Sequence, residues 1–577
     1  MSRRWLTPSD PSPQAEALAE QFDLPVWIAQ CLIHRGQGNP ESAAVFLDPR
    51  LRRLSDPFLL PNIASAVDRL FQQRESNQPL VLFGDYDVDG VTATTILKQG
   101  LEQLGWIVHH YLPRRMEEGY GLSQQGVETC LGRYPVSLLV AVDCGSTAVD
   151  PIAWLNGRGV DVLVLDHHQV STPLPAAFSL VNPQLGETGT PSFRELCSAG
   201  VAFKVLHAVM KRGRELGLTG FDTLDLREFL DLVALGTVAD LVPLVGENRI
   251  LVTAGLQRLT ETKRPGLVAL KEVAGIEGDV GVSEVGFQLG PRLNASGRLE
   301  TAEASLDLLM ARDLETARPL AAALDATNRE RQTLEREMSE TAVAQVRARF
   351  DPARDWVIVE GNANWHLGVV GIVASRVLRE FNRPTLILGG DPSQEHWRGS
   401  GRSLPGFDLA EALRACSEFL VRHGGHAMAA GVTLSPDQFE AFRSRINEVA
   451  RERITPEILI PTVRVDAWVT LEELTLSAVE CLQRLEPFGT DNPPPQFAIA
   501  GVQLAGRPLR MGKTQQHLKL PLTDGVRRVD AVWWNAGEAP IPSGVFDVAV
   551  VPQVNEYGGR CSVQLRWLDS RPSTGAR

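Results

Sequence analysis

Asp85, Asp87 and Asp89 fall in one short stretch, Phe83-Gly84-Asp85-Tyr86-Asp87-Val88-Asp89-Gly90, directly after the apolar run Pro79-Leu80-Val81-Leu82. The run reads as a buried strand, so three carboxylates crowd one strand end. Like charges this close raise one another's pKa and destabilise the fold unless something cationic sits among them. A divalent metal ion is the simplest compensation. Two later apolar runs end in the same way, Ser137-Leu138-Leu139-Val140-Ala141-Val142 on Asp143 and Val162-Leu163-Val164-Leu165 on Asp166-His167-His168. Carboxylates mixed with imidazoles make a donor set of intermediate hardness, which suits Mn²⁺ well and Mg²⁺ less well. Two such ions roughly 3.5–4 Å apart activate a water and stabilise both oxygens of an in-line displacement at phosphorus. Taken singly, Asp85 fits a turn before glycine equally well. The set does not, because burying so much negative charge needs a cation.

The elements that must position these groups follow from the pattern. Between about 78 and 250, short apolar runs alternate with amphipathic stretches, predicting helices over 91–104 and 124–131 and a strand over 106–111. The fold class is therefore α/β, with a mostly parallel sheet and helices on both faces. In such a sheet ligands gather outside the carboxyl ends of the strands, so the acidic ends meet at one place. Gly90 suits the turn into the following helix, where a side chain would crowd the site. From 313 to 350 the chain is rich in Ala, Leu, Glu, Arg and Gln, with Pro319 near the start, which predicts one long connecting helix. A second α/β domain follows, with glycine concentrated in 398–403 and 424–431. Short β-type runs at 462–469, 497–504, 517–522, 529–534 and 546–552 suggest a small barrel such as an OB-fold. The expected division is 1–77, helical and loop-rich; 78–250, the sheet domain; 251–354, a linker region with the long helix; 355–455, the second α/β domain; 456–568, the barrel; and 569–577, a polar, disordered tail.

A chain of 577 residues is too long for one core, and its hydrophobic fraction of 44% is that of a soluble globular protein. No apolar run approaches the roughly 18–20 residues of a membrane span. The N-terminus has no apolar stretch behind its positive charge and does not read as a secretory signal. Seven cysteines without a CxxC pair argue against a zinc ribbon or a disulfide framework and fit the cytoplasm. The net charge of −13 opposes non-specific coating of nucleic acid. It leaves room for a local basic groove that tracks phosphates.

Asp85 to Gly90, Asp143-Cys144-Gly145 and Asp166-His167-His168, in this order, resemble the DHH phosphoesterase superfamily, and Gly424-Gly425-His426-Ala427-Met428-Ala429-Ala430-Gly431 resembles the glycine-rich motif of its companion DHHA1 domain. Within the superfamily the pattern is similar to the exonucleases that digest single-stranded DNA from 5′ to 3′. The likeness covers roughly residues 50 to 455 well and the barrel more loosely. It implies a manganese-dependent, two-metal hydrolase that releases nucleoside 5′-monophosphates in DNA repair and recombination. It also implies a monomer that meets single-stranded DNA, a helicase and a single-strand-binding protein. By the resemblance the metal ligands are Asp87, Asp89, Asp143, His167 and Asp240, with Asp143 as the bridge. His168 coordinates or contacts phosphate, and Asp166 orients a histidine. Many members carry a histidine where Phe83 stands, so Asp85 or water fills that place here.

Phosphate contacts are expected from a glycine-rich turn, where the backbone N–H groups around Ser400, Arg402 and Ser403 point at an anion and the arginine supplies a forked donor. By the resemblance Arg115, Ser400 and Arg402 hold the 5′-terminal phosphate, and Asn294 and Arg298 touch the phosphate being cleaved. His426 lies in a loop whose glycines let a substrate backbone approach closely. His366 reads as a structural or supporting residue. In the barrel, Arg507, Arg510, Lys513, His517 and Lys519 surround a hairpin and could follow a single strand. Trp533 and Trp534 are adjacent on a strand, so one of them belongs to the core. Two other readings remain open at this point. One is a phosphodiesterase of short oligonucleotides or cyclic dinucleotides. The other is a catalytically inactive scaffold at a replication fork, which would have no need of the ligand set.

Overall fold

The computed structural model describes residues 3–8, 12–114, 118–119, 121–186, 193–299, 301–390 and 395–573. The chain divides into two compact units, residues 7–325 with 464–577, and residues 1–6 with 326–463.

In the first unit, strands β1 (Leu80–Gly84), β2 (Val108–Tyr111), β3 (Leu138–Val142), β4 (Asp161–Leu165) and β5 (Ser179–Val181) form a sheet. Their order is β2-β1-β3-β4-β5 and every pairing is parallel. Strand order reverses between β1 and β3, which makes the gap beyond their carboxyl ends the crevice where doubly wound sheets bind ligands. The central strands β1 and β3, and β4 after Asp161, are apolar because both faces are covered. Leu80, Leu82, Leu138, Val140 and Val142 enter one core, and Val81, Phe83, Leu139 and Ala141 enter the other. Helices α1 (Val88–Gln103), α2 (Ser198–Glu215) and α3 (Leu230–Ala239) pack together on the first of these faces. Helix α3 is buried all round except at its last residue, as its apolar sequence demands. The segment before Asp240 is therefore helix. A further helix, α4 (Gly290–Leu299), packs against α1.

The long helix is present as α5 (Leu314–Arg349), with Pro319 in its second turn. The second unit continues with β6 (Ile358–Asn362), α6 (Val370–Phe381), β7 (Thr385–Gly389), β8 (Trp397–Arg402), β9 (Arg422–Gly425) and β10 (Ala429–Leu434). The sheet order is β9-β10-β8-β7-β6, with β6 and β7 parallel and the rest antiparallel. The stretch 398–403 is thus corrected from a turn to a central strand. Its glycines serve packing, since a Cβ on Gly399 would lie 2.8 Å from the Ile387 carbonyl oxygen.

The C-terminal barrel belongs to the first unit and comprises β11 (Ala467–Trp468), β12 (Phe497–Leu504), β13 (Leu509–Met511), β14 (His517–Thr523), β15 (Arg528–Trp533), β16 (Phe546–Tyr557) and β17 (Arg560–Pro572). The order is β11-β12-β16-β17-β15-β14-β13, closed by pairing of β12 with β14. Two expectations are corrected. The run 462–469 is broken into two short strands, Thr462–Arg464 and Ala467–Trp468. Residues 569–572 are not a loose tail, because their backbone extends β17 along Phe546–Ala549 of β16. A ladder needs backbone groups and not apolar side chains. The N-terminal helices Pro13–Phe22 and Val26–His34 do not stand apart either. Leu18, Trp27, Ile28 and Leu32 share one core with Phe497, Ile499, Phe546 and Trp567 of the barrel.

Arg249 holds these parts of the unit together. Its buried guanidinium donates to the carbonyls of Phe46, Leu485 and Arg484 at 2.8, 3.0 and 3.2 Å. No described helix is long and apolar enough to cross a membrane.

Candidate metal centre

The ends of β1, β3 and β4 step across the crevice. Asp85 N–H donates to the Val142 carbonyl at 3.2 Å, and Asp143 N–H to the Leu165 carbonyl at 2.9 Å, so both carboxylates leave the sheet side by side. Asp143 has φ +63°, a left-handed conformation that a side chain other than glycine adopts at a cost and that gathers at functional sites. Asp87 is the N-cap of α1, its Oδ1 accepting from Gly90 N–H at 3.0 Å. Gly90 is required there, since a Cβ would lie 2.7 Å from the Asp85 carbonyl oxygen.

Asp89, in the first turn of α1, aims at the start of α2. Its Oδ2 accepts from Ser198 N–H at 2.7 Å and its Oδ1 from Ala199 N–H at 2.8 Å. These N–H groups have no partner within their own helix and carry the positive end of its dipole. The Ser198 hydroxyl donates to Asp143 Oδ1 at 2.8 Å. Ser198 and Ala199 were not legible as site residues. The only signal was a small polar residue opening a long amphipathic run. After β4, Asp166 Oδ1 accepts from the His167 and His168 N–H groups at 2.8 and 3.2 Å and from His168 Nδ1 at 2.7 Å, while its Oδ2 accepts from Ser146 N–H. Asp166 therefore organises the histidine pair from behind.

His167 Nε2 is buried and has no hydrogen-bond partner among the described residues. It lies 3.4 Å from Asp143 Oδ1, 3.5 Å from Asp240 Oδ2 and 3.8 Å from Asp89 Oδ2. Three overlapping groups have ligand atoms within 4.8 Å of one another: Asp85, Asp87 and Asp143; Asp89, His167 and Asp240; and Asp143, His167 and His168. The structure thus brings all seven metal candidates together, with Asp143 in two groups. Phe83 faces the opposite side of the sheet, against Tyr111 at 5.4 Å between ring centroids, and Asp85 stands in the first group. An orphaned imidazole nitrogen ringed by carboxylates fits a divalent cation, and the oxygen and nitrogen donors match a hard to intermediate ion.

The electrostatics agree. Burial, then the charges of Asp89, Asp87, Asp85 and Asp240, push the Asp143 carboxyl well above the usual range. Burial likewise raises Asp89, and it pushes Asp240 up to about 9 with help from Asp89 and Asp87. Burial lowers His167, so its ring stays neutral and keeps a lone pair. Burial opposes charge on His168, but the hydrogen bond and charge of Asp166 outweigh it and raise His168 to about 9. Burial alone would raise Asp166, but His168 holds it well below the carboxylate range.

A carboxyl raised in the folded state contributes stability below its unfolded pKa near 3.9 and loses it as pH rises through the folded value. For Asp240 that window runs from about 4 to about 9. The metal-free protein is accordingly expected to lose thermal stability across it. A cation takes the place of the protons, so the rise in Tm on adding Mn²⁺ should be larger at pH 8.5 than at pH 6. Differential scanning fluorimetry at both pH values checks this, and an equal rise would count against a cation site.

The substrate candidates divide. Asn294, on α4, accepts from Val88 N–H at 3.1 Å and so supports the Asp87–Asp89 turn. Arg115 lies outside the described residues, and Arg298 falls on α4 with its side chain outside them. Ser400 and Arg402 share a face of β8. Arg402 Nη1 donates to Ser400 Oγ at 2.8 Å, and no described carboxylate pairs with this largely buried guanidinium. Both side chains meet the first turn of α6, where a Cβ on Gly371 would lie 3.1 Å from Ser400 Oγ. The expected cradle of backbone N–H groups is absent here, because the strand ladder uses them. Ser403 is buried and its hydroxyl donates to the Phe407 carbonyl at 2.7 Å, the role of a turn hydroxyl. His426 is exposed in the turn between β9 and β10, and His366 is exposed with Nδ1 accepting from Gly368 N–H. In the barrel, Lys519 pairs with Asp530 at 2.8 Å and Arg510 donates to the carbonyls of Gln515 and Gly537, while Arg507 and Lys513 are exposed. Trp533 stacks on the core residue Trp567, and Trp534 is exposed beside His517.

A parallel sheet with carboxylates and a histidine pair at its switch point, joined by a long helix to a mixed sheet, defines a phosphoesterase of the DHH class. Family models agree: the DHH family N-terminal domain matches residues 79–237, the DHHA1 domain 354–452 and the RecJ OB domain 465–569. The chain is 36% identical to the single-stranded-DNA-specific exonuclease RecJ of Bacillus subtilis over 99% of its own length and 71% of that protein. It is 37% identical to RecJ of Dickeya dadantii over 90% and 92% of the two chains. The crystal structure of RecJ in complex with Mn²⁺ from Thermus thermophilus superposes with a TM-score of 0.84 at 32% identity, over 99% of this chain and 80% of that one. The chain belongs to the RecJ family of single-stranded-DNA-specific exonucleases.

Proposed function

We propose that the protein is a metal-dependent exonuclease that hydrolyses single-stranded DNA from its 5′ end to nucleoside 5′-monophosphates. The observation that carries this reading is the buried His167 Nε2, without a hydrogen-bond partner among the described residues and set among the carboxylates of Asp89, Asp143 and Asp240. Two ions, manganese foremost and magnesium as a substitute, match the overlapping ligand groups. Asp85, Asp87 and Asp143 would hold one, and Asp89, His167, Asp240 and Asp143 the other. Held there, divalent cations supply a hydroxide at neutral pH and positive charge on the phosphoryl oxygens.

The chain's own groups do the rest. Asp166 fixes the His168 ring through Nδ1, which leaves Nε2 to coordinate a cation or to contact a phosphate oxygen. Asn294 and Arg298 contact the phosphate being cleaved, and Arg298 stabilises charge in the transition state. Ser400 and Arg402 hold the 5′-terminal phosphate, which fixes polarity, and Arg115 is a further candidate for contact with the strand. Ser403 and His426 border that pocket, and Arg507, Arg510, Lys513 and Lys519 give the barrel a weak single-strand track. The protein acts as a monomer in the cytoplasm on strands exposed by a helicase or passed on by a single-strand-binding protein.

The test uses Mn²⁺ with a long 5′-labelled single strand, a duplex and a dinucleotide. Release of mononucleotides from the single strand alone is expected. Preference for the dinucleotide would favour a small-substrate phosphodiesterase, and no turnover would favour a scaffold. Arg402→Ala should raise KM for a 5′-phosphorylated strand by about 10-fold and abolish its advantage over a 5′-hydroxyl strand, since a charge-assisted phosphate contact is lost. An unchanged ratio between the two strands would remove Arg402 from the pocket.

A further inference from the structure

The exonuclease reading leaves one large side chain beside the metal centre without a role. Phe287 is 79% exposed, the most exposed phenylalanine among the described residues. It lies in a π-helical turn, Val285–Leu289, that runs directly into α4. Wide turns of this kind have identifiable causes and occur often at functional sites. Here the cause is Pro291, which has no N–H to give the Phe287 carbonyl, so the helix widens and Gly290 N–H bonds back to Val285.

The turn fixes where Phe287 stands. Val285 and Leu289 are buried and anchor it. The face of α4 turned to the metal centre is marked by three contacts. A Cβ on Gly290 would lie 3.6 Å from the Ala239 Cβ, next to Asp240. Asn294 accepts from Val88 N–H at 3.1 Å, and a Cβ on Gly297 would lie 2.7 Å from the Tyr86 carbonyl oxygen. The π turn itself packs against α3, the helix that ends at Asp240, and Phe287 stands three residues before Gly290. The wide turn therefore leaves an exposed aromatic ring just outside the helices that carry Asp240 and Asn294. Leu241, directly after Asp240, is a second exposed apolar residue, at 71%.

We propose that Phe287 is a stacking platform for a base of the bound single strand, placed beside the nucleotide whose phosphate is cleaved. Every base offers a π-face, so such a platform grips the strand without reading sequence, as an exonuclease requires. In a duplex the same base is stacked and paired, so the ring also discriminates against double strands. This rests on the exonuclease reading.

The test compares wild type, Phe287→Ala, Phe287→Leu and Phe287→Trp on 5′-phosphorylated single strands. Phe287→Ala should raise KM about 10-fold with kcat little changed. Trp should restore KM and Leu should not, because Leu is apolar but has no π-face. Mn²⁺ affinity should be the same in all four. A strand whose 5′-terminal nucleotides are abasic should raise KM for wild type but not for Phe287→Ala. Unchanged KM in Phe287→Ala, rescue by Leu as complete as by Trp, or an equal abasic penalty in both proteins would overturn the proposal while wild-type digestion leaves the exonuclease reading intact. A wild type that digests no single strand would overturn that reading and this one with it.

Discussion

Asp143→Asn is expected to lower turnover on single-stranded DNA by at least about 10²-fold while leaving the metal-free protein as stable as wild type or more so. Asp143 belongs to two of the three ligand groups, so losing its charge weakens both cation sites at once. Metal charge on the phosphoryl oxygens is worth several kcal/mol in the transition state, and each 1.36 kcal/mol is tenfold in rate. The stability half follows from the same geometry. Asp143 is buried with four other carboxylates acting on it, and replacing it with a neutral amide removes repulsion. Asparagine also tolerates the left-handed conformation at this position better than alanine does. The check is steady-state mononucleotide release together with thermal melts with and without Mn²⁺. Near wild-type turnover, or an undiminished rise in Tm on adding Mn²⁺, would contradict the assignment.

Gly236→Ala is expected to damage the site without touching a ligand. Gly236 lies on α3 where that helix crosses α1 and α2, and a Cβ would fall 2.4 Å from Thr92 Oγ1, 2.7 Å from Ala199 Cβ and 3.0 Å from Asp89 Oδ1. None of these atoms is the end of a flexible chain. The Thr92 hydroxyl is buried and bonded to the Val88 carbonyl, and Ala199 Cβ sits on the helix whose N–H groups hold Asp89. One methyl must therefore push α2 away from α1, at a cost of about 1–3 kcal/mol. The displacement separates Asp89 from its two N–H donors, and a loss of supporting contacts typically costs about 10–100-fold in metal affinity. Isothermal titration with Mn²⁺ and a chemical denaturation curve measure the two effects. Unchanged values in both would show that the packing of these helices does not govern the ligand geometry.

What could be read without coordinates was chemistry with a residue identity. Asp85, Asp87, Asp89, Asp143, His167 and His168 were legible because each follows an apolar strand, and parallel strands end at a common edge. The supports were not legible. Asp89 is held by the backbone N–H groups of Ser198 and Ala199, and backbone groups leave no mark in sequence. The glycines of 398–403 suggested a turn, yet they lie in a strand because neighbouring chains crowd Gly399 and Gly401. Glycine signals either freedom or lack of space, and only the neighbours decide. The apolar stripes of the N-terminal helices showed that each must bury a face. Nothing in their sequence identified the barrel, more than four hundred residues further on, as what covers them.

Anomalous scattering from crystals soaked in manganese tests the central claim most directly. Two peaks are expected at the carboxyl ends of β1 and β3, one among Asp85, Asp87 and Asp143 and one among Asp89, His167 and Asp240, with the Asp143 carboxylate touching both. A soaked crystal with no peak in the crevice, or with manganese bound only at surface carboxylates, would contradict it.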